Sequence, residues 1–352
     1  MKNKLKILFL APGTSSHSFK WINFFSKKHD IHWFYETSLR FKVDNIKCYK
    51  IKNGISLVFQ PIIFFIKVLI IKPDLIHIHS ISKNLFISFL VVIFFRKKII
   101  LNPWGSDVFF PNMLVKFLQV FIRNNIIFTD SFIIKKKFEK KNKVFKINFG
   151  VDLNFFNKSN NKKALKKKII FCPRGYDPIY NQFLVLNFIK MYKDKLKNFL
   201  FVFSGSIHMQ EFTFFKKFIK KYKLQKIVNL NGNLNKIEYK KYLINSFLVI
   251  SASKSDAGLS SSIAEAMSSK CLVLCSNNRD NPYWIKNNLN GFLFKDNDDA
   301  DFKKMFFYIM SLTQNEKVKI ELKARNTQEN KNNFFLEMDK VEKLYKKIYL
   351  NS

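Results

Sequence analysis

Residues 255–269 read SDAGLSSSIAEAMSS, a run of small side chains leading into a short helical stretch that carries one acid, Glu265. Small residues let backbone N–H groups come close to a bound group. A helix that begins after such a run aims its free N–H groups and the positive end of its dipole at an anion. The chain holds 62 Lys+Arg against 25 Asp+Glu, yet this stretch contains no lysine. Lysine dominates the basic residues, so each arginine stands out, Arg174 first; a guanidinium fork suits phosphate oxygens.

The histidines form a second group. DLIHIHS (74–80) sets His77 and His79 two apart on a strand, hence on one face. Without a third ligand they are not a metal pair. One is expected to be a buried, hydrogen-bonded core residue, and His79, at the strand's C-terminal end, is the one expected to reach a cleft. His17 follows a Gly/Ser loop and reads either as an exposed loop residue or as a substrate contact. Gly13, directly after the first strand, permits close ligand approach. Asp107 in NPWGSDVFF either caps a turn or serves the reaction. DNDDAD (296–301) has DxD-like spacing, but it precedes a helix and reads as an N-cap.

The elements that must carry these residues alternate. Apolar runs at 6–11, 30–36, 74–80 and 98–104 read as strands, with helical patterns at 18–28 and 85–95 between them, and 126–140 continues the series. Residues 149–168 are polar, basic and asparagine-rich, which reads as an interdomain linker. Strand runs restart at 168–174, 199–205, 227–232, 247–253 and 271–276, with helices near 181–196 and 210–223, and a last helix spans 332–350. This order predicts an α/β fold with two doubly wound parallel sheets. Open parallel sheets bind ligands beyond the carboxyl ends of their strands.

Composition narrows the class. A chain of 352 residues with 47% hydrophobic content can fill two cores. The net charge of +37 draws anionic partners: lipid headgroups, nucleotides or nucleic acid. Abundant Lys, Asn, Ile and Phe also fit an AT-rich genome. No recognised nucleic-acid motif is present, so no specific nucleic acid is expected. The four cysteines form no CxxC pair, and Cys271 and Cys275 read as core thiols on one strand face, which points to a reducing cytoplasm. No signal peptide is expected, and the apolar stretches 55–71 and 85–95 read as packed helices rather than membrane spans. The lysine-rich stretch 133–143 reads as a solvated helix face or as a patch for peripheral contact with an anionic membrane.

Seven segments, in order, resemble the GT-B glycosyltransferases of the large retaining family 4: LAPGTSSHSFKW, KPDLIHIHS, NPWGSDVFF, VFKINFGVDLNFF, RGYDPIYN, the stretch at 255–269, and NNLNGFLFKDND. Three positions depart from the family pattern. Ala257, beside Asp256, stands at the first acid of the E-x7-E region. Ile179, Tyr180 and Asn181 occupy the stretch of the phosphate-binding lysine, and Trp104 replaces a histidine.

The resemblance implies two Rossmann-like domains facing a central cleft. They are expected at 1–157 on the acceptor side and 158–334 on the donor side, with the helix at 335–352 crossing back. It implies transfer of a sugar from a UDP- or GDP-linked donor to a glycan or lipid-linked acceptor in polysaccharide or lipopolysaccharide synthesis. Anomeric configuration is retained, and neither cofactor nor metal is required. The donor-binding residues so implied are Gly13, Arg174, Asn181, Gly258, Leu259, Ser260 and Glu265. Backbone N–H groups at 258–260 would meet the diphosphate and sugar, Arg174 would supply fixed charge, and Glu265 would hold the ribose hydroxyls. The catalytic set is His17, His79, Asp107 and Asp256. An inactive relative that binds sugar nucleotide or acts as a scaffold is the alternative.

Overall fold

A computed structural model describes residues 4–36, 38–41, 44–51, 59–81, 83–95, 98–120, 122–157 and 167–351. The chain divides into two compact units, Met1–Phe149 with Phe335–Ser352, and Gly150–Phe334.

The first unit runs β1 (Lys6–Leu10), α1 (Ser16–Ser26), β2 (Asp30–Tyr35), β3 (Lys47–Lys50), α2 (Gln60–Ile71), β4 (Leu75–His79), α3 (Lys83–Phe94), β5 (Ile99–Asn102), α4 (Gly105–Phe109), α5 (Met113–Leu118), β6 (Ile126–Thr129), α6 (Phe132–Phe138) and β7 (Lys143–Lys146). Its seven strands are parallel, in the order β3-β2-β1-β4-β5-β6-β7. The central strands β4 and β5 are buried at every position, as a sheet covered on both faces requires. The edge strands read KCYK and KVFK. Terminal lysines blunt their free edges against further pairing.

The second unit runs β8 (Lys168–Cys172), α7 (Gln182–Tyr192), β9 (Phe199–Phe203), α8 (Met209–Lys221), β10 (Val228–Leu230), α9 (Lys236–Asn245), β11 (Ser246–Ser251), α10 (Ser261–Ser268), β12 (Leu272–Asn277), α11 (Asn281–Trp284), β13 (Phe292–Lys295), α12 (Asp299–Ser311) and α13 (Gln314–Lys331), with α14 (Phe334–Leu350) closing the chain. Its six parallel strands lie in the order β10-β9-β8-β11-β12-β13. Successive β8 residues feed opposite cores, by the period of two. Ile170 and Cys172 join Phe188, Phe215 and Phe306 on one side, while Ile169 and Phe171 join Ile263, Met267 and Trp284 on the other. Cys271 and Cys275 are thiols outside any disulfide, buried and in the same core.

The passage between units falls at Phe149–Gly150, eight residues before the expected boundary. The reason is packing. Val151, Leu153 and Phe156 are buried in the second core, and the Val151 N–H donates to the Asn332 carbonyl at 2.8 Å. Residues 150–157 are therefore not linker, and 158–166 lie outside the described residues. From Phe335 onward α14 belongs to the first unit. There Tyr345 meets His77 Nδ1 at 2.5 Å and Glu342 meets His29 at 2.8 Å.

Both apolar stretches are packed helices, α2 and α3, although 55–58 lie outside the described residues. No helix among the described residues is long and apolar enough to cross a membrane. The stretch 133–143 splits between α6 and the start of β7. Ile134 and Phe138 turn inward, which leaves Lys135 and Lys136 toward solvent, while Lys137 Nζ donates to the Val108 carbonyl at 3.1 Å. Asp298 caps α12 by accepting the Asp301 N–H, as its place before a helix predicts.

Candidate active site

In the second unit the candidate residues gather past the C-terminal ends of β8 and β11. Arg174 lies two residues beyond β8 in a tight loop. Gly175 has φ +80°, and a Cβ on Gly205 would come within 2.6 Å of the Gly175 nitrogen, so only glycines let these two loops touch. Arg174 Nε donates to Ser253 Oγ at 3.2 Å, and Nη2 is bound to Asp256 Oδ1. The guanidinium lies over the Tyr180 ring, 4.6 Å from its centroid, a cation–π contact. Tyr180 closes a single 3-10 turn, Pro178–Tyr180, that ends at Asn181 in the left-handed region (φ 49°). Asn181 Nδ2 donates to Asn297 Oδ1 at 3.4 Å.

Two expectations change here. Asp256 is the ion-pair partner of Arg174, its side chain 4% exposed against 16% for the arginine, so it positions the guanidinium rather than standing free for catalysis. Arg174 is in turn not an unpaired charge. A guanidinium has five N–H donors. Two of them are used, one on Nε and one on Nη2, so among the described residues both N–H groups of Nη1 and the second of Nη2 remain for a ligand oxygen. Asp256 Oδ2 is also buried without a hydrogen bond.

The helix α10 begins at its N-cap, Ser260, with no side-chain cap and no acid in its first turn. The Gly258 N–H, expected to face a ligand, donates instead to Asp280 Oδ2 at 2.9 Å. Asp280 is fully buried and fixes the loop from behind. The N–H groups of Leu259 and Ser260 donate to nothing among the described residues, so the open donors begin one residue later than expected. Glu265, one turn into α10, is hydrogen-bonded to Tyr239 of α9. Burial first, and the Glu265 carboxylate next, push the Tyr239 hydroxyl well above its usual range. It therefore stays protonated and donates. Sequence reasoning missed Ser253, Tyr239 and Asp280; nothing in their local context distinguishes them.

In the first unit, His17 lies in the first turn of α1 with its ring 4.6 Å from Phe149 and 6.3 Å from Trp104. Below it, His79 is fully buried, against the expectation that it would reach a cleft. Central strands are covered on both faces, and Trp21 and Trp104 lie over this end, their centroids 5.5 and 6.5 Å from the His79 ring. Its Nδ1 meets Ser18 Oγ at 3.2 Å, and Nε2 has no partner among the described residues. Burial, then the His17 charge, lowers its pKa to about 3, so it is neutral.

Asp107 is 2% exposed and fully engaged. It accepts the N–H groups of Trp104 and Ile81, each at 2.8 Å, and the Ser80 hydroxyl at 3.1 Å. It ties the β4 and β5 loops together, as the turn-capping reading of Asp107 expects. Gly13 is likewise explained by backbone. A Cβ there would lie 2.7 Å from the Ser38 carbonyl oxygen, so the approach of Ser38 by itself requires glycine. Among the described residues no three His, Cys, Asp or Glu side chains converge as metal ligands would.

Two α/β units with seven- and six-stranded parallel sheets define the GT-B glycosyltransferase fold. Residues 154–333 match the family model "Glycosyl transferases group 1", and residues 6–148 match "Glycosyl transferase 4-like". The chain belongs to the glycosyl transferases group 1 family and is a glycosyltransferase. Among solved structures it is similar to a glycosyltransferase from Rickettsia africae (20% identity, 99% of this chain and 100% of that one, TM-score 0.80). HepE of Anabaena in complex with UDP and glucose gives 13% identity, coverage of 97% and 99%, and TM-score 0.82. Sucrose-phosphate synthase from Thermosynechococcus elongatus gives 10%, 99% and 100%, and TM-score 0.83. These likenesses show the fold. No curated protein matches the sequence.

Proposed function

We propose that the protein transfers a sugar, with retention, from a UDP- or GDP-linked donor to a glycan or lipid-linked acceptor in bacterial cell-surface polysaccharide or lipopolysaccharide synthesis, working in the cytoplasm. The observation that carries this reading is the set of open donors in the second unit: Arg174 Nη1 and the Leu259 and Ser260 N–H groups ahead of α10. A helix N-terminus and a guanidinium are what a leaving diphosphate needs as its charge grows. HepE was solved with UDP and with UDP-glucose, which favours UDP as the base carrier here.

In the proposed roles, Arg174 and the α10 N-terminus take the diphosphate. Glu265, held by Tyr239, accepts the ribose hydroxyls. Asn181 lines the donor loop, and His17 with the Phe149 and Trp104 rings serves the acceptor side. The anomeric C–O bond breaks with its electron pair passing to the phosphate oxygen. The acceptor hydroxyl attacks the same face, and its proton goes to that phosphate oxygen. No protein nucleophile and no metal take part in this scheme.

NMR of the product formed from an α-linked donor tests it; an inverted anomer overturns the retaining assignment. The second reading, a binding protein without turnover, draws on the Arg174–Asp256 pair and on Ile179, Tyr180 and Asn181 in place of a lysine. Nucleotide binding with no transfer across a donor and acceptor panel would favour it.

A further inference from the structure

We propose that the outer face of α2, with α3 and α5 beside it, docks the first unit onto an anionic lipid bilayer. Phe64, Val68 and Ile71 of α2 are buried. The opposite face is apolar too: Phe59, Ile62, Ile63, Ile66, Leu69 and Ile70 are all exposed, Ile70 at 66%. A helix apolar on nearly every side needs an apolar partner on both faces, and among the described residues this one has a partner on one face only. The connections β3–α2–β4 and β4–α3–β5 progress in the same direction along the sheet, so right-handed crossovers place α2 and α3 on the same face. The two helices pack together, and α5 packs on α3. α5 and its flanks add Phe110, Met113, Leu114, Phe117 and Val120, all exposed. Soluble monomers rarely show so much contiguous apolar surface without a use for it.

Charge selects the occupant. From 45 to 129 the only acids are Asp74 and Asp107. Asp107 is buried, and Asp74 accepts the Lys6 N–H at 2.7 Å. Among the described residues the charges carried on the exposed faces are those of Lys67 and Lys116, with Lys72 at the end of α2. A second copy paired through this face would set these lysines against their own images. Anionic headgroups complement them. The 12 residues of α2 rise about 18 Å, short of the roughly 30 Å hydrocarbon core, so the helix lies in the interface.

The proposal extends the lipid-linked acceptor reading by giving it a surface. Vesicle flotation tests it without any sugar transfer, so its failure leaves the transferase reading standing. The purified chain is floated with phosphatidylcholine vesicles with and without phosphatidylglycerol. Wild type should float with the anionic vesicles and be released by salt. Ile66→Glu/Ile70→Glu and Lys67→Glu should each bind at least about tenfold more weakly. Ile237→Glu, at a still more exposed isoleucine in the second unit (77%), should bind as wild type. Circular dichroism confirms that each variant is folded. The proposal is overturned if Ile66→Glu/Ile70→Glu floats like wild type. It is equally overturned if wild type ignores both vesicles and sediments as a dimer that this double variant dissociates.

Discussion

Replacing Arg174 by alanine strands a carboxylate. Asp256 is 4% exposed, and among the described residues its Oδ2 already lacks a hydrogen bond and Arg174 is the only partner of Oδ1. Removing one member of a buried ion pair costs about 3–5 kcal/mol. In a unit of this size each kcal/mol moves the melting midpoint by about 2–4 °C, so the second unit should melt roughly 6–20 °C lower. Asp256→Ala should cost less, about 1–3 kcal/mol, because Arg174 keeps Ser253, stacks on Tyr180 and reaches water. The double variant removes both charges and should be more stable than Arg174→Ala alone, with a coupling of about 1–3 kcal/mol. Nucleotide affinity separates from stability. Loss of a charged donor should weaken UDP binding by about 10- to 100-fold in Arg174→Ala and in the double variant, whereas Asp256→Ala should bind UDP as well as wild type or better. Calorimetric melting of the four proteins gives the cycle, and titration calorimetry with UDP gives the affinities. Additive melting effects, or equal UDP binding by wild type and Arg174→Ala, would refute the reasoning.

Acidification should destabilise the first unit. Burial lowers the His79 pKa to about 3 from 6.5, so the unfolded chain takes up a proton below pH 6.5 that the folded one refuses. Stability is then complete above pH 6.5 and falls toward pH 3; at pH 5 the loss is about 2 kcal/mol from His79. His77, lowered in the same direction by burial, adds to it. Urea unfolding at neutral and acid pH should show a smaller difference in His79→Asn than in wild type. Asp107→Ala leaves the Trp104 and Ile81 N–H groups unpaired and should cost about 1–3 kcal/mol for each. Asp107→Asn should melt closer to wild type and keep sugar transfer, since the side chain ties loops and does not react. Glu265→Gln should raise the donor KM by about tenfold or more through weaker ribose hydrogen bonds while leaving the Arg174 pair intact. Chelation by EDTA should leave the rate unchanged if no metal takes part.

The strands that frame the site were legible because doubly covered parallel strands read as continuous apolar runs; KILFL, LIHIH and FLFVF are cases. The edge strands β3 and β7 were not, since each is four residues with lysine at both ends. Arg174 and Glu265 announce themselves by type and by their place after a strand and inside a helix. Their partners do not. Asp256 lies 82 residues from Arg174 and Asp280 lies 22 from Gly258, and only the closed sheet brings them together. The period of two gave the common face of His77 and His79 but not the indoles that cover it. Gly13 shows the same limit, because a glycine reads alike whether a ligand or Ser38 approaches it.

Thermal unfolding of wild type, Arg174→Ala and Glu265→Ala with UDP, GDP, CMP and their common sugar conjugates tests the donor site most directly. A nucleotide at a hundred times its Kd should add about 2.7 kcal/mol to the wild type. The account predicts that a uridine or guanosine diphosphate does so, and that each variant, measured against its own unliganded melt, gains little or nothing. If no nucleotide stabilises the wild type, or both variants gain as much as it does, the donor site assigned to Arg174 and α10 is wrong.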